Sequence, residues 1–484
     1  MSAEEVAREL NDPFALLLLR KGTLPTTVHE LLGAIDAATS PGDNLRNQMT
    51  FLIGEGSQIP WSPATASLDR GLRLAVTRGA GVFDVLVSTD GGLTNAFLQV
   101  IGWDDQAGVF NYYEHRGGAW AWAGNSTHAF DPRSRGQGPF DSHINGSMVM
   151  KELKFPWNHW QSVAANIPAE VFAPDDPARN DPLITGRVGA EKLQEQIVQP
   201  GVRRWTDSRF SKEVTADGKL ARTAPILEQL FTTTSVNLTS TAQESGTVTK
   251  TTTITLPESF FLDTDALTGA LALPGPPALT VSGETYLAAL ASFEVALVDG
   301  AFRQPDDTHF AFLVPERAFE DLDVVRKCLE TKLLSDRFIG CALMVDFANP
   351  IFSARRAGLL AHVPAVFEGP AGGLSEAIAT AIVNAAAATP PTSAENEFAA
   401  LWGLGDGWKP EAEKRLAAYY AALTKLLGSP GGFDQVFKLA ESRRQQVMGL
   451  QLSEGRPLLF ASTNIPAGPP LRMRPDAGIE PESA

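Results

Sequence analysis

Between residues 70 and 130 the chain breaks into short apolar runs separated by glycine and aspartate turns. The runs are LRLAVTRGAG, GVFDVLVSTD, NAFLQVIGW, GVFNYYEHR and AWAWAGNSTHAF, punctuated at Asp90–Gly92, Asp104–Gly108 and Arg116–Gly118. Turns recurring every ~10–12 residues predict an antiparallel meander. The last two runs are placed to pair as a hairpin across Arg116–Gly118. Period-two alternation then sets Phe110, Tyr112 and Glu114 on one face, and Asn111, Tyr113 and His115 on the other.

The rest of the chain reads mostly as helix around this sheet. Residues 1–40 carry two helical patterns, SAEEVAREL and TTVHELLGAIDAAT, the second with a threonine cap and 3.6-residue spacing. His29 lies in the second as a surface or packing residue. The Thr-rich stretch 231–256, with QESG as its turn, predicts a second hairpin. Residues 285–352 alternate: helix ETYLAALASFEVAL, strand THFAFLVP, helix FEDLDVVRKCLETKLLS, strand RFIGCALMVDF. That order permits a βαβ unit or a layered α+β piece. Residues 373–450 are strongly helical.

The expected fold class is therefore α+β: an antiparallel β-sheet core with a mixed α/β middle segment and a helical C-terminal region. At 484 residues, two to three units are expected at about 150 residues each. The expected division is an N-terminal helical segment 1–69, a β-rich region 70–260 and a mixed α/β region 261–370. A helical region 371–466 and a flexible or strap-like tail 467–484 follow. If the segments 70–130 and 231–256 share one sheet, the chain is one intertwined unit.

Charge narrows the function classes. The formal charge is −16, from 56 acidic and 40 basic residues, with no long basic run. Nucleic-acid binding, which needs clustered Lys and Arg to displace counterions, is not expected. The apolar stretch Phe14–Leu19 is too short to span a bilayer, so no membrane partner is expected. Cys328 and Cys341 are too few for a disulfide framework and fit a reducing cytosol. The start MSAEEVAREL is acidic, unlike a secretory leader. A cytoplasmic location is the expectation.

Several catalytic signatures are missing. Gly79–Gly81 precedes another strand-like run, whereas a dinucleotide fingerprint needs a helix there. There is no GxxxxGK[ST], no HExxH and no EF-hand loop, and GNSTH at 124–128 lacks the closing glycine of a nucleophile elbow.

One window is chemically unusual. Four of seven histidines (His115, His128, His143, His159) and five of nine tryptophans (Trp103, Trp120, Trp122, Trp157, Trp160) lie between residues 103 and 160. Imidazole ligates Zn, Fe and Cu and exchanges protons near neutral pH. The expected catalytic group is His143, Glu152 and His159. The expected metal ligands are these three with His128, while His115 is a further candidate from the sheet. Asn145, Lys151 and Trp157 are expected to orient a substrate or cofactor. Asn145-Gly146 and Pro156 interrupt any helix, so His143 and His159 meet only through the fold.

The expected function is an enzyme acting on a small, partly apolar molecule by redox or acid–base chemistry, as a metal-dependent oxidoreductase or lyase. The cofactor would be Fe, Cu or Zn, or a haem on one histidine. The alternatives are a cofactor-free His/Glu acid–base enzyme, and a non-catalytic binding or assembly protein with an aromatic interface. Trp and His also suit the rim of a core, with Glu152 paired to Arg133 or Arg135. A second stretch, DFANPIFSARR at 346–356, offers Arg355 and Arg356 to an anion, but surface ion pairs with Asp346 are the favoured reading.

Overall fold

The structure is a computed structural model that describes residues 5, 8–54, 72–148, 170, 172–189, 191–241, 247–299, 302–304, 312–370, 372–450 and 461–482. Its N-terminal half is built on an antiparallel six-stranded sheet in the order β1 to β6. These are β1 (Gln48–Gly54), β2 (Leu72–Arg78), β3 (Val85–Asp90), β4 (Leu98–Asp104), β5 (Val109–Arg116) and β6 (Ala119–Asn125). The first strand lies inside the segment expected to be helical, so the meander begins earlier than residue 70. The β5–β6 hairpin turns at Gly117 and Gly118, with φ of 58° and 82°. Two successive positive φ angles match the strand twist and suit glycine.

Strand alternation decides what each face meets. Ile101, Trp103, Phe110 and Tyr112 point into one apolar cluster with Val202 and Trp205. Val85, Val87, Val100 and Tyr113 point into another, closed by the N-terminal helices α1 (Pro13–Leu17) and α2 (Val28–Ala38). The predicted Thr cap of α2 is present: Thr27 Oγ1 accepts from the Glu30 amide at 3.1 Å. Asp12 caps α1 and is fully buried against the sheet. Its carboxylate accepts from the Tyr113 hydroxyl at 2.5 Å, Asn111 Nδ2 at 3.0 Å and the Ala15 amide at 3.1 Å.

Two sequence expectations are corrected. The Thr-rich stretch is not a hairpin and does not join the large sheet. Val236–Thr239 pairs with Val314–Arg317, and Thr253–Thr255 pairs with Thr280–Ser282. The strand expected at 337–347 is instead helical over Asp336–Leu343. Ser335 caps it, accepting from the Phe338 amide at 3.2 Å. Phe338, Ile339, Cys341, Ala342 and Leu343 are all buried, and such a run shows no period to separate helix from strand.

Six longer helices precede and cover this middle region: α3 (Gln199–Glu213), α4 (Ala224–Phe231), α5 (Gly283–Ser292), α6 (Phe319–Glu330), α7 (Asp336–Leu343) and α8 (Leu374–Ala386). Three more, α9 (Ala394–Trp402), α10 (Trp408–Leu427) and α11 (Gly432–Gly449), complete the largest apolar core, where Phe338, Phe398, Trp408 and Phe433 are buried. Cys328 and Cys341 are buried in this core, and burial pushes both thiols up to about 12.

The 345–356 loop is not a surface feature. Asp346 and Arg356 are buried. Arg356 donates to the Val345, Asn349 and Pro350 carbonyls at 3.4, 3.1 and 2.8 Å. Arg443 of α11 donates to the carbonyls of Phe260 and Ala348 and to Asn349 Oδ1. Asp346 and Phe352 hold φ of 53° and 54°, a conformation uncommon for residues other than glycine. Within the segment expected as a tail, Leu471–Met473 and Ile479–Pro481 form a hairpin docked on this loop. The Asn349 amide clasps it, donating to the Met473 carbonyl and accepting from the Met473 amide, at 2.8 and 2.9 Å. Among the described residues, no helix is long and apolar enough to cross a membrane.

Candidate functional site

His143 and Asn145 sit where the sheet meets the helical region. The chain leaves β6 through a 3-10 turn at Ser126–Phe130 and another at Gly138–Asp141. It then makes a tight turn closed by the Gly146 amide on the His143 carbonyl at 2.8 Å. Gly146 has φ of 73°, and a Cβ there would stand 2.2 Å from the Ser126 carbonyl oxygen, so glycine is a steric requirement at this position. The Tyr112 hydroxyl donates to the Gly146 carbonyl at 3.0 Å, and the His143 ring lies 5.2 Å from the Tyr112 ring. His143 is half-buried.

Asn145 is buried and faces away from the sheet. Its Nδ2 donates to Thr234 Oγ1 at 3.0 Å and approaches Ser235 Oγ at 3.5 Å and Glu320 Oε1 at 3.4 Å. Its carbonyl accepts from Trp205 Nε1 at 2.8 Å. Residues separated by up to 175 positions in sequence therefore converge on one amide.

The network continues inward. Thr234 Oγ1 donates to Asp321 Oδ1 at 3.3 Å, and Gln229 Nε2 donates to the same oxygen at 2.8 Å. Gln229 Oε1 in turn accepts from Arg209 Nη1 at 2.8 Å. Glu320 and Asp321 lie in the first turn of α6, where the positive end of the helix dipole favours carboxylates. Glu316, Glu320, Asp321 and Asp323 are each at most 3% exposed. Asp323 Oδ1 takes Arg326 at 2.7 and 3.0 Å, and Arg203 approaches it at 4.0 Å. Buried carboxylates are retained only against cations or hydrogen-bond donors, so this concentration marks the seam out from the surrounding core.

Arg209 is the buried cation of the seam. Its guanidinium lies 5.0 Å from the Phe130 ring centre and 5.8 Å from that of Trp205. Burial lowers its pKa to about 10, with Asp321 and Asp323 acting in the opposite sense.

The sequence-predicted residues are distributed unevenly. Asn145 belongs to the seam, and His143, two residues before it, lies against the Tyr112 ring. His128 lies across Phe140, its ring 6.3 Å from Phe140 and 5.3 Å from Trp122. Its Nδ1 is within 3.2 Å of the Asn125 amide and 3.0 Å of Asn125 Oδ1, an N-terminal cap on the 3-10 turn. His115 stacks on Trp120 across the β5–β6 hairpin, 5.4 Å between rings. Lys151, Glu152, Trp157 and His159 lie outside the described residues. Among the described residues, no group of three His, Cys, Asp or Glu side chains is arranged to hold a metal ion. Arg133 and Arg135, offered as partners for Glu152, pair with Asp131 at 2.7 Å and Glu228 at 3.2 Å.

Arg209, Gln229, Thr234 and the α6 carboxylates escaped sequence reasoning, although a signal exists. Asp321 shares one helical stripe with buried Val324, Val325 and Cys328. Arg209 shares another with Val202, Trp205, Thr206 and Phe210. A charge inside an apolar stripe at i, i+3, i+4, i+7 spacing is the mark of a buried polar network.

A small polar cavity lies between the 345–356 loop and the C-terminal hairpin, lined by Asp346, Asn349, Arg443, Arg472 and Glu482. Its volume of about 10 Å³ admits one water and no organic substrate. A scan against protein-family models, a search of curated proteins and a search of solved structures each give no match for this chain.

Proposed function

We propose that this chain is an enzyme acting on a small, partly apolar molecule at the seam between the sheet and α6. His143 would serve as a ligand to Fe, Cu or Zn, or as a proton-transfer group, in redox or acid–base chemistry. Asn145 would hold the seam in register. The observation that carries the reading is the convergence of Asn145, Glu320, Asp321 and Arg209 from distant segments into one buried, hydrogen-bonded seam, with His143 two residues before Asn145 and against the Tyr112 ring. Ionisable groups concentrated at a buried seam, beside the aromatic rings of Tyr112 and Trp205, are among the marks of a small-molecule site.

The reading as an assembly protein asks for tryptophans on an open patch. Trp120 and Trp122 are half-buried, with indole N–H groups donating to the Pro25 carbonyl at 2.8 Å and Asn111 Oδ1 at 3.1 Å. That packing counts against an open interface at these two tryptophans, while Trp157 and Trp160 lie outside the described residues. Two single buried cysteines suit a reducing compartment.

The test is elemental analysis with a visible spectrum of the untagged full chain and its His143→Ala variant. About one equivalent of a transition metal, or a haem band, is expected in the parent and a marked loss in the variant. Metal-free, colourless parent protein overturns the metal form and leaves acid–base chemistry as the form to pursue.

A further inference from the structure

Arg209 differs from the other arginines described. It is 6% exposed, yet both Nε and Nη2 are buried without a hydrogen-bond partner. Among the described residues no other arginine leaves two buried nitrogens unbonded. Nη1 is committed to Gln229, and Phe130 and Trp205 lie against the group. The unbonded atoms form the side-on edge of the guanidinium, two parallel N–H donors shaped for one carboxylate. An unsatisfied buried donor is costly, so an arrangement that leaves two on one edge calls for an acceptor.

The surroundings select that acceptor. Asp321 and Asp323 act on Arg209 through their charges, and Asp323 Oδ2 is itself buried without a hydrogen-bond partner. A bare anion would add a third negative charge beside two buried aspartates, at high cost in a low-dielectric interior. A zwitterion adds no net charge and carries a partner for each kind of unbonded atom. Arg203 and Arg326, 52% and 34% exposed, stand on the solvent side of Asp323.

We infer that the seam binds a small α-amino acid, its carboxylate on the Nε–Nη2 edge of Arg209 and its ammonium at Asp323 Oδ2. This names the substrate class and rests on the reading of the seam as a small-molecule site. It requires no metal.

The experiment is a thermal-shift screen of the full chain with individual L-amino acids, followed by calorimetric titration of the best one. Propionate and propylamine serve as half-ligands. At least one amino acid is expected to raise Tm, since a ligand bound only to the folded state stabilises it. Affinity should fall by about ten-fold or more in Arg209→Lys, which keeps the charge and loses the fork, and in Asp323→Asn. The half-ligands should bind far more weakly than the amino acid. No Tm shift with any amino acid overturns the inference, as does unchanged affinity in both variants or propionate binding as tightly. Circular dichroism identifies a variant that fails to fold, and the other variant then carries the test. Amino-acid binding by metal-free protein sustains the inference while the metal form of the enzyme reading fails. A His143-dependent metal without amino-acid binding overturns the inference while the enzyme reading stands.

Discussion

Two buried polar networks in this chain are built from similar parts and end differently. Around the 345–356 loop, Arg356 and Arg443 each donate to three acceptors, nearly all of them backbone carbonyls. At the seam, Arg209 donates to one. Burial lowers all three guanidinium groups to about 10, so desolvation does not distinguish them. Their partners do. Arg356 and Arg443 staple a loop that holds two left-handed residues, and both terminal nitrogens of each donate to it, while Arg356 leaves only Nε unbonded. Arg209 is buried to the same degree with a whole edge unspent. Other described arginines leave at most one buried nitrogen unbonded, so the two on one edge of Arg209 set it apart, as the proposed ligand requires.

The sharpest way to break this contrast is the same substitution at both positions. Arg443→Lys should cost roughly 3 kcal/mol, because an ammonium cannot reach three fork-shaped contacts and leaves the Phe260 and Ala348 carbonyls underbonded. Arg209→Lys loses one neutral partner and keeps the charge facing Asp321 and Asp323, so about 1 kcal/mol is expected. Urea unfolding with matched slopes measures both. Equal costs would make Arg209 a structural staple and remove the contrast.

A smaller effect concerns Asp12, the fully satisfied carboxylate under the sheet. Burial raises its pKa above the ordinary 3.8, outweighing the hydrogen bonds from Tyr113, Ala15 and Asn111. A carboxyl raised in the folded state contributes stability below 3.8, and that contribution is lost as pH rises through the folded value. Asp12→Asn cannot ionise. Its stability deficit relative to the parent should therefore narrow as pH increases from 3.8 upward, followed by unfolding at a series of pH values. A widening deficit would show that hydrogen bonding, not desolvation, sets the Asp12 equilibrium.

How much of this was legible in advance depended on the range of the interaction. The meander, the glycine turn after Arg116, the split of Tyr112 and Tyr113 to opposite faces and the Thr27 cap were all readable, because each is decided within a few residues. The α+β class followed from those elements. The density of His and Trp around an Asn-Gly turn singled out His143 and Asn145 as candidates, and the structure shows Asn145 within a buried polar network. The rest of the expected group, Lys151, Glu152, Trp157 and His159, lies outside the described residues. Arg209 and Asp323 went unread although each sits near or in an apolar helical stripe, because a charge in such a stripe does not name its partner.

The sequence by itself determined periods and punctuation: period two between residues 72 and 125, period 3.6 from 374 to 449, and left-handed turns where glycine permits them. These follow from backbone sterics and side-chain direction, which act locally. Only the tertiary structure decided that Val236–Thr239 pairs with Val314–Arg317, and that the apolar run at 336–343 is helix. It also decided that Asn145, Asp321 and Arg209 belong to one network. A uniformly buried segment carries no period, and hydrogen bonds between residues tens to hundreds of positions apart exist only after the chain has closed around them.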